Sequence, residues 1–395
     1  MKNKGYWYKK IIQLAAGFMA LFVLSGCGAP ETREATEAPE SPVPLETDAV
    51  SADLDRVYFL NGNDVYEENG ELKKVQSDCA VIRSNGHWGI IDVGIGDYGN
   101  IRTQLTEQLQ QLTQLNGGQI QLDFILITHS HVDHGGYFSS LFKDNPNITM
   151  SDSCTIYLKD YENNNPSYSN PEMESLYNNA QVYEEILGEL ERRFGSELPT
   201  HLLRSDYSPS AFGDFTLEFY NSGAEAATSG RLNDNSTVVL ITHKNGTRLL
   251  MMGDCELSAE ENLMSGEMAD LADIDILKAG HHGLASSTGV RFLAKMDPDA
   301  VVATGIYGMY VNGDGGSLAY KCRASGVPMY SPQFNAEGLT LAFGEDQKEY
   351  AFYNGIPETV SAAPSPLIEG WITISPNFRI QVNQDLALIK EEPVL

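Results

Sequence analysis

The chain has 395 residues, with 26 lysines and arginines against 54 aspartates and glutamates, for a formal net charge of −28 at pH 7. So large an acidic excess repels polyanions at long range; it argues against stable nucleic-acid binding and serves the solubility of the chain. The five cysteines, at 27, 79, 154, 255 and 322, form no CxxC pair, which argues against a thiolate zinc site.

In chain order, Lys2, Lys4, Lys9 and Lys10 precede an apolar run from Ile11 to Leu24. The run is short for a membrane span and has the length of a signal-peptide core. It ends in Leu24-Ser25-Gly26-Cys27, which resembles the lipobox of bacterial lipoproteins. The resemblance implies a signal peptide over residues 1–26, lipid on Cys27, and a protein held on the extracellular face of the bacterial cell membrane. An ordinary signal peptide or membrane anchor that contains a cysteine is the alternative. Loss of the four lysines would take the charge from −28 to −32. Residues 27–52 are rich in Pro, Glu, Ala and Thr; they bury too little to offset their ordering entropy and read as a disordered tether.

Short strands follow. Val57–Leu60 and Cys79–Arg83 are apolar runs, and Asn85-Gly86 is a hairpin turn into Trp88–Val93. Ile101, Leu105, Leu109 and Leu112 carry helical spacing. Asp123–Thr128 is a strand, residues 173–194 a helical insertion, and Phe215–Tyr220 a strand. Ser236–Thr242 and Arg248–Met252 form a hairpin about Asn245-Gly246. A helix begins at Ser258, Ile274–Ala279 is a buried strand, Gly289–Lys295 a helix and Ala300–Thr304 a strand. This order suits two sheets between helices better than one doubly wound sheet.

The sharpest motif is Thr128-His129-Ser130-His131-Val132-Asp133-His134-Gly135-Gly136, directly after an apolar strand. Three of the eight histidines and an aspartate fall within six residues. Imidazole and carboxylate are donors that suit zinc, and a tight turn at a strand end lets neighbouring side chains converge. The stretch resembles the HxHxDH signature of the metallo-β-lactamase superfamily. That resemblance, which runs over about 77–335, implies an α/β fold: an αββα sandwich of two mixed sheets flanked by helices. The domain is expected over 53–345 with a helical insertion at about 155–200, and a β-rich extension over 346–395.

The resemblance also implies two divalent metal ions, zinc or manganese. By position, His129 and His131 take the first ion, and Asp133 and His134 the second. Leu249–Asp254 ends in Gly-Asp, where family members place the bridging carboxylate, hence Asp254. Ile276–Gly283 resembles the last histidine motif; His281 is expected on the second ion and His282 facing substrate, with the reverse order open. Asp92 and Asn235 are expected to support the ligands from behind. Many family members carry a third histidine on the first ion. Only His201 and His243 lie in the relevant interval, and neither has a supporting pattern.

The Asn233-Asp234-Asn235-Ser236 stretch, with Gly253-Asp254 and Lys278–Gly283, is similar to the metallo-β-lactamase domain of the ComEC family of DNA-uptake proteins and to that of phosphorylcholine esterase. This implies phosphodiester hydrolysis by a metal-bridged hydroxide, with Asp133 and His282 as catalytic groups. Lys278, Tyr157 and Tyr161 are candidates for substrate contact, against the plainer reading of buried or rim residues. The expected substrate is a small-molecule or wall-polymer phosphodiester, or extracellular nucleic acid. The rivals are a lactam or lactone hydrolase of the same fold and a non-catalytic metal- or ligand-binding lipoprotein.

Overall fold

A computed structural model describes residues 54–96, 98–159, 179–204, 207–222, 232–306, 310, 316–334 and 338–356. The targeting segment with Cys27, the tether, Tyr161 and the part of the expected β-rich extension beyond residue 356 lie outside the described residues.

The chain enters through β1 (Arg56–Phe59), makes a separate two-stranded ribbon of β2 (Asp64–Glu68) and β3 (Glu71–Val75), and returns as β4 (Cys79–Ser84) and β5 (His87–Val93). Asn85 and Gly86 join these last two strands, both at positive φ (48° and 82°), as a tight hairpin turn requires. Helix α1 (Ile101–Leu115) leads to β6 (Ile120–Leu126), then α2 (Val132–Gly135), α3 (Phe138–Asp144), β7 (Ile148–Tyr157), α4 (Asn179–Phe194) and β8 (Leu203–Arg204). The second sheet takes β9 (Ser210–Phe212), β10 (Phe215–Tyr220), β11 (Val238–His243), β12 (Arg248–Met251), β13 (Ile276–Lys278), β14 (Ala300–Val302) and β15 (Met329–Tyr330). Helices α5 (Leu257–Ser265), α6 (Val290–Met296) and α7 (Leu318–Ser325) fill its crossovers, and β16 (Leu339–Phe343) and β17 (Tyr350–Asn354) go back to the first sheet.

The first sheet runs β17-β16-β1-β4-β5-β6-β7-β8 and the second β15-β14-β13-β12-β11-β10-β9. Each is mixed. Pairing is antiparallel from β17 to β5 and parallel from β5 to β8. In the second sheet it is antiparallel from β9 to β12 and parallel from β12 to β15.

Strand alternation then sorts the core into three layers. Val57, Phe59, Ile82, Ile91, Leu249 and Ile276 meet between the two sheets. Ile90, Val93 and Ile125 face the helices of the first half, where Ile101, Leu105, Leu109 and Leu112 of α1 are all buried. Leu250, Leu277 and Val301 face the helices of the second half. Helix–sheet–sheet–helix layering is the αββα sandwich that the element order suggested.

Two expected boundaries move. The domain does not stop at residue 345: β17 pairs residue for residue with β16, Tyr350 with Phe343 and Phe352 with Leu341, and forms the sheet edge. Its alternation was hidden because Tyr350, Ala351, Phe352 and Tyr353 are buried on both faces. The helix expected as an insertion is part of the core. Val182, Ile186 and Leu190 recur on one face of α4 and are buried against the first half. A Cβ on Gly135 would stand 2.7 Å from Val182 Cγ1, so α4 rests directly on the glycine that ends α2. Truncating Ile186→Ala should therefore cost about 2–5 kcal/mol in urea unfolding, the penalty of a core position, where a peripheral helix would lose little.

Candidate metal centre

One end of the sandwich collects the chemistry. β5 carries Asp92 near its carboxyl end, and β6, β12 and β13 deliver residues beyond their carboxyl ends: the 128–134 turn, Asp254 and the 281–282 pair. β4 runs antiparallel to β5 with Cys79 opposite Val93, so the start of β4 lies at this same end and brings Asp78.

The 128–134 turn is built from its own backbone. The N–H groups of His134 and Gly135 both donate to the His131 carbonyl, at 3.1 and 3.0 Å, winding α2 directly after His131. The preceding strand fixes the other side: Thr128 donates its N–H and its Oγ1–H to the Asp92 carboxylate, each at 2.8 Å. Asp92 itself sits at φ 53°, a left-handed turn off β5 that aims the carboxylate back across the strand ends.

Two imidazoles are locked by carboxylates. His134 Nδ1–H donates to Asp92 Oδ2 at 2.7 Å, and His282 Nδ1–H donates to Asp78 Oδ1 at 2.8 Å. A carboxylate only accepts, so each ring carries a proton on Nδ1 and turns Nε2 inward. Those two nitrogens meet Asp254: His134 Nε2 lies 3.2 Å from Oδ1 and His282 Nε2 3.4 Å from Oδ2. Asp133 Oδ2 is 3.2 Å from His282 Nε2. On the other side, His129 Nε2 is 3.0 Å from His131 Nδ1 and 3.9 Å from Asp254 Oδ2. The opposite nitrogen of His129 faces Thr128 Oγ1 at 3.2 Å and Ser236 Oγ at 3.3 Å. Ser236 Oγ also accepts the Asp254 N–H at 2.9 Å, so one serine fixes a histidine and the shared carboxylate together.

This donor set fits a pair of cations. Two groups of ligand atoms lie within 4.8 Å of one another, His129–His131–Asp254 and Asp78–His134–Asp254–His282. Asp254 belongs to both. Its two oxygens and His134 Nε2 are buried and satisfied by no hydrogen bond, a large cost unless a cation occupies the space between them. In the second group Asp78 is the backing partner of His282, and Asp133 is the carboxylate on the inner nitrogen.

The charges report the same competition. Burial opposes a proton on His134, but Asp254 and Asp92 outweigh it and hold the ring well above its usual pKa. On His282, burial is likewise outweighed by Asp254 and Asp78. His129 moves well below the usual value through burial and then the charge of His134 and His131. For Asp254, burial is overcome by His134, His282 and His281, and the carboxyl drops well below its range.

Residues 72–153 match the sequence model of the Metallo-beta-lactamase superfamily. The chain carries a metallo-β-lactamase superfamily domain. The matched segment includes Asp78, Asp92 and the HxHxDH turn, and the two-sheet sandwich is consistent with that fold. ComE operon protein 3 of Bacillus subtilis (strain 168) is 32% identical over 90 residues, 22% of this chain and 11% of that protein, so the chain matches only about a tenth of that relative's length. The metallo-beta-lactamase fold protein YhfI from Bacillus subtilis is similar at 12% identity and a TM-score of 0.35, covering 64% of this chain and 86% of that one. The short form of human tRNase Z is similar at 17% identity and a TM-score of 0.36, covering 63% and 92%.

Within this metallo-β-lactamase domain the structure brings together His129, His131, Asp133, His134, Asp254 and Asp92, all singled out from sequence. The order of the last pair is the reverse of the one expected. His282 is fully buried on the Asp254 side, whereas His281 is 22% exposed, its Nε2 3.8 Å from Asp254 Oδ2 and its Nδ1 3.0 Å from Glu256 Oε1. The pair leaves its strand through two consecutive left-handed residues, φ 42° and 57°, which turns the second ring inward and the first outward.

Other expectations do not reach the centre. Tyr157 is buried between the sheets against Phe219 and Phe124, its hydroxyl 3.2 Å from Ser210 Oγ. Lys278 is buried beneath the centre and out of reach of substrate. The Asn235 carbonyl takes the Lys159 ammonium, while Asn233 and Ser236, on either side, make the contacts to His281 and His129. Neither interval histidine supplies a third ligand: His243 is buried against Asp55 at 3.0 Å, and His201 is exposed in a turn.

Asp78, Ser236, Glu256 and Asn233 were not picked from sequence as parts of the centre. No local signal marks Asp78, which joins only because β4 and β5 run antiparallel. Replacing Asp78→Asn should weaken the cation on the His282 side about 10–100-fold, read by chelator competition. Because His134 and His282 must release protons to bind a cation, affinity should fall as pH drops, beginning above the ordinary histidine range near about 6.5. Calorimetry in buffers of different ionisation enthalpy should detect the released protons.

Proposed function

We propose that the protein is a metal-dependent phosphodiesterase, active outside the cell on small-molecule or wall-polymer phosphodiesters and tethered to the membrane by lipid on Cys27. The observation that carries the hydrolase reading is the shared Asp254, a buried carboxylate with no hydrogen bond on either oxygen, between His129 on one side and His134 and His282 on the other.

His129, His131 and Asp254 would hold one divalent ion, and Asp133, His134, His282 and Asp254 the second, zinc or manganese. When bound, the ions supply Lewis acidity that makes water nucleophilic near neutral pH and polarises the scissile centre. Asp133, partly exposed at the mouth, orients the attacking water and accepts its proton. His281 takes the substrate-facing role expected of His282. Its Nδ1 is held by Glu256 and by Ser286 Oγ at 3.0 Å, so the ring is fixed before substrate arrives and can donate to a phosphoryl oxygen.

Three features support a phosphodiester over a lactam. The Asn233–Ser236 stretch resembles the corresponding stretch of the ComEC and phosphorylcholine esterase domains. The Lys278–Gly283 stretch keeps the subgroup pattern, and the segment similar to ComE operon protein 3 is a sequence likeness. The net charge of −28 favours short or weakly charged substrates over a nucleic-acid polymer.

Bis-p-nitrophenyl phosphate hydrolysis, titrated with zinc or manganese, is the test. Turnover should rise with metal up to two equivalents, and nitrocefin should remain uncleaved. His131→Ala should keep its circular-dichroism spectrum and lose activity by about 10²-fold or more. Full metal loading without phosphodiester turnover would refute the enzyme reading, and nitrocefin cleavage in its place would favour the lactam hydrolase.

A further inference from the structure

Beneath the centre lies a buried ammonium that binds no substrate. Lys278 ends β13 and is 2% exposed. Alternation places it on the face of Ile276, between the sheets, and away from Leu277, which faces the helices. Asp78 precedes β4 and, by the same alternation, shares the inter-sheet face of Ala80. The two side chains therefore meet between the sheets: Lys278 Nζ forms an ion pair with Asp78 Oδ2. A second bond anchors the ammonium, Nζ donating to the Gly253 carbonyl at 3.0 Å. The cavity bounded by Asp78, Asp92, Thr128, Gly253, Lys278 and Thr304 is about 10 Å³, room for one water at most, so the ammonium is packed closely where it pairs with Asp78.

We propose that Lys278 is a positioning residue for the second cation: it pins one oxygen of Asp78 so that the other holds His282 Nδ1, which aims His282 Nε2 at the cation site. The inference rests on the metal-centre reading and not on the nature of the substrate. The chain of contacts is direct. Nζ pairs with Oδ2, Oδ1 accepts from His282 Nδ1 at 2.8 Å, and the inner Nε2 faces Asp254 and Asp133 at 3.4 and 3.2 Å. Without the ammonium, Asp78 would keep a buried negative charge with only a histidine to fix its rotamer. With it, both oxygens are bound and the carboxylate cannot rotate.

The geometry also separates the two cation sites. Lys278 lies behind His282 and makes no bond to His129 or His131, so its removal should act on one cation and spare the other. A role as general filler of the core would show no such preference.

The test is a double-mutant cycle read by metal affinity, using chelator competition and the visible absorption of the cobalt-substituted protein, with Lys278→Met, Asp78→Asn and the double variant. Each single substitution should weaken one of the two cations about 10–100-fold and alter its cobalt spectrum, with the other cation unchanged. The double variant should be no weaker than Asp78→Asn alone, because Lys278 acts through Asp78. Should Lys278→Met fail to fold around an unpaired Asp78, the double variant removes both buried charges, and its comparison with Asp78→Asn still decides. Wild-type affinity in Lys278→Met, equal loss at both cations, or a further tenfold loss in the double variant would each overturn the proposal. Since the readout is metal binding, absence of phosphodiester turnover leaves this test intact.

Discussion

Burial of like charges is the constraint on which the rest of the structure depends. Asp78, Asp92, Asp133 and Asp254 gather at one end of the sandwich, and Lys278 is the ammonium that touches them among the described residues. An unpaired carboxylate in such a place is costly, and three of the four, Asp78, Asp92 and Asp254, are buried. The fold offsets the cost in layers. Backbone and hydroxyl donors of Thr128 bind Asp92, Lys278 binds Asp78, and imidazoles take the remaining oxygens of both. Asp254 is left with no hydrogen bond on either oxygen, and it is the group placed between two sets of nitrogen donors. The electrostatic deficit is thus concentrated where divalent cations would sit.

That concentration needs precise support, and the sandwich provides it. Ligands from both sheets meet because the carboxyl ends of β5 and β6 in one sheet and β12 and β13 in the other lie at the same end. Gly253 shows how closely they approach: at φ 51°, a Cβ there would stand 2.7 Å from Ser236 Cβ. The backbone of the Asp254 turn therefore packs directly on the Ser236 segment, and Ser236 in turn fixes Asp254 and His129. The inner rings are rigid, held by packed strands and by carboxylates behind them. His281 is the more exposed ring, braced by side chains alone, and stands at the mouth. Rigid donors inside and an accessible histidine at the rim are the arrangement that holding a reacting group in a fixed position requires.

The match to the superfamily covers residues 72–153, which include the HxHxDH turn and the carboxylate behind each of two histidines. Asp254, His281 and His282 lie outside that stretch. Two of the six donors, Asp254 and His282, come from the second sheet, so the centre is complete only when both halves of the sandwich are folded against each other. A fragment carrying the matched segment would hold His129, His131, Asp133 and His134 and lack the shared carboxylate.

Much of this was legible in the amino-acid order. The histidine turn announced itself because its ligands are neighbours in sequence, and a strand followed by a tight turn must bring them to one point. Asp254 and Asp92 were readable because each ends an apolar strand, a position that fixes which end of a sheet a side chain reaches. The hairpins at Asn85-Gly86 and Asn245-Gly246 were set by local backbone preference. Tertiary structure alone decided the rest. Asp78 has no motif and enters through the antiparallel pairing of β4 with β5. Lys278 faces inward because its strand is buried on both sides, where polarity gives no cue to the face. The order of His281 and His282 turned on two left-handed residues whose conformation no local pattern specifies. Tyr157 went to the core because β7 is covered by the second sheet. Sequence determines which donors exist and which strand ends carry them; distance between segments far apart in the chain, and hence which donor meets which, is set only when the two sheets pack.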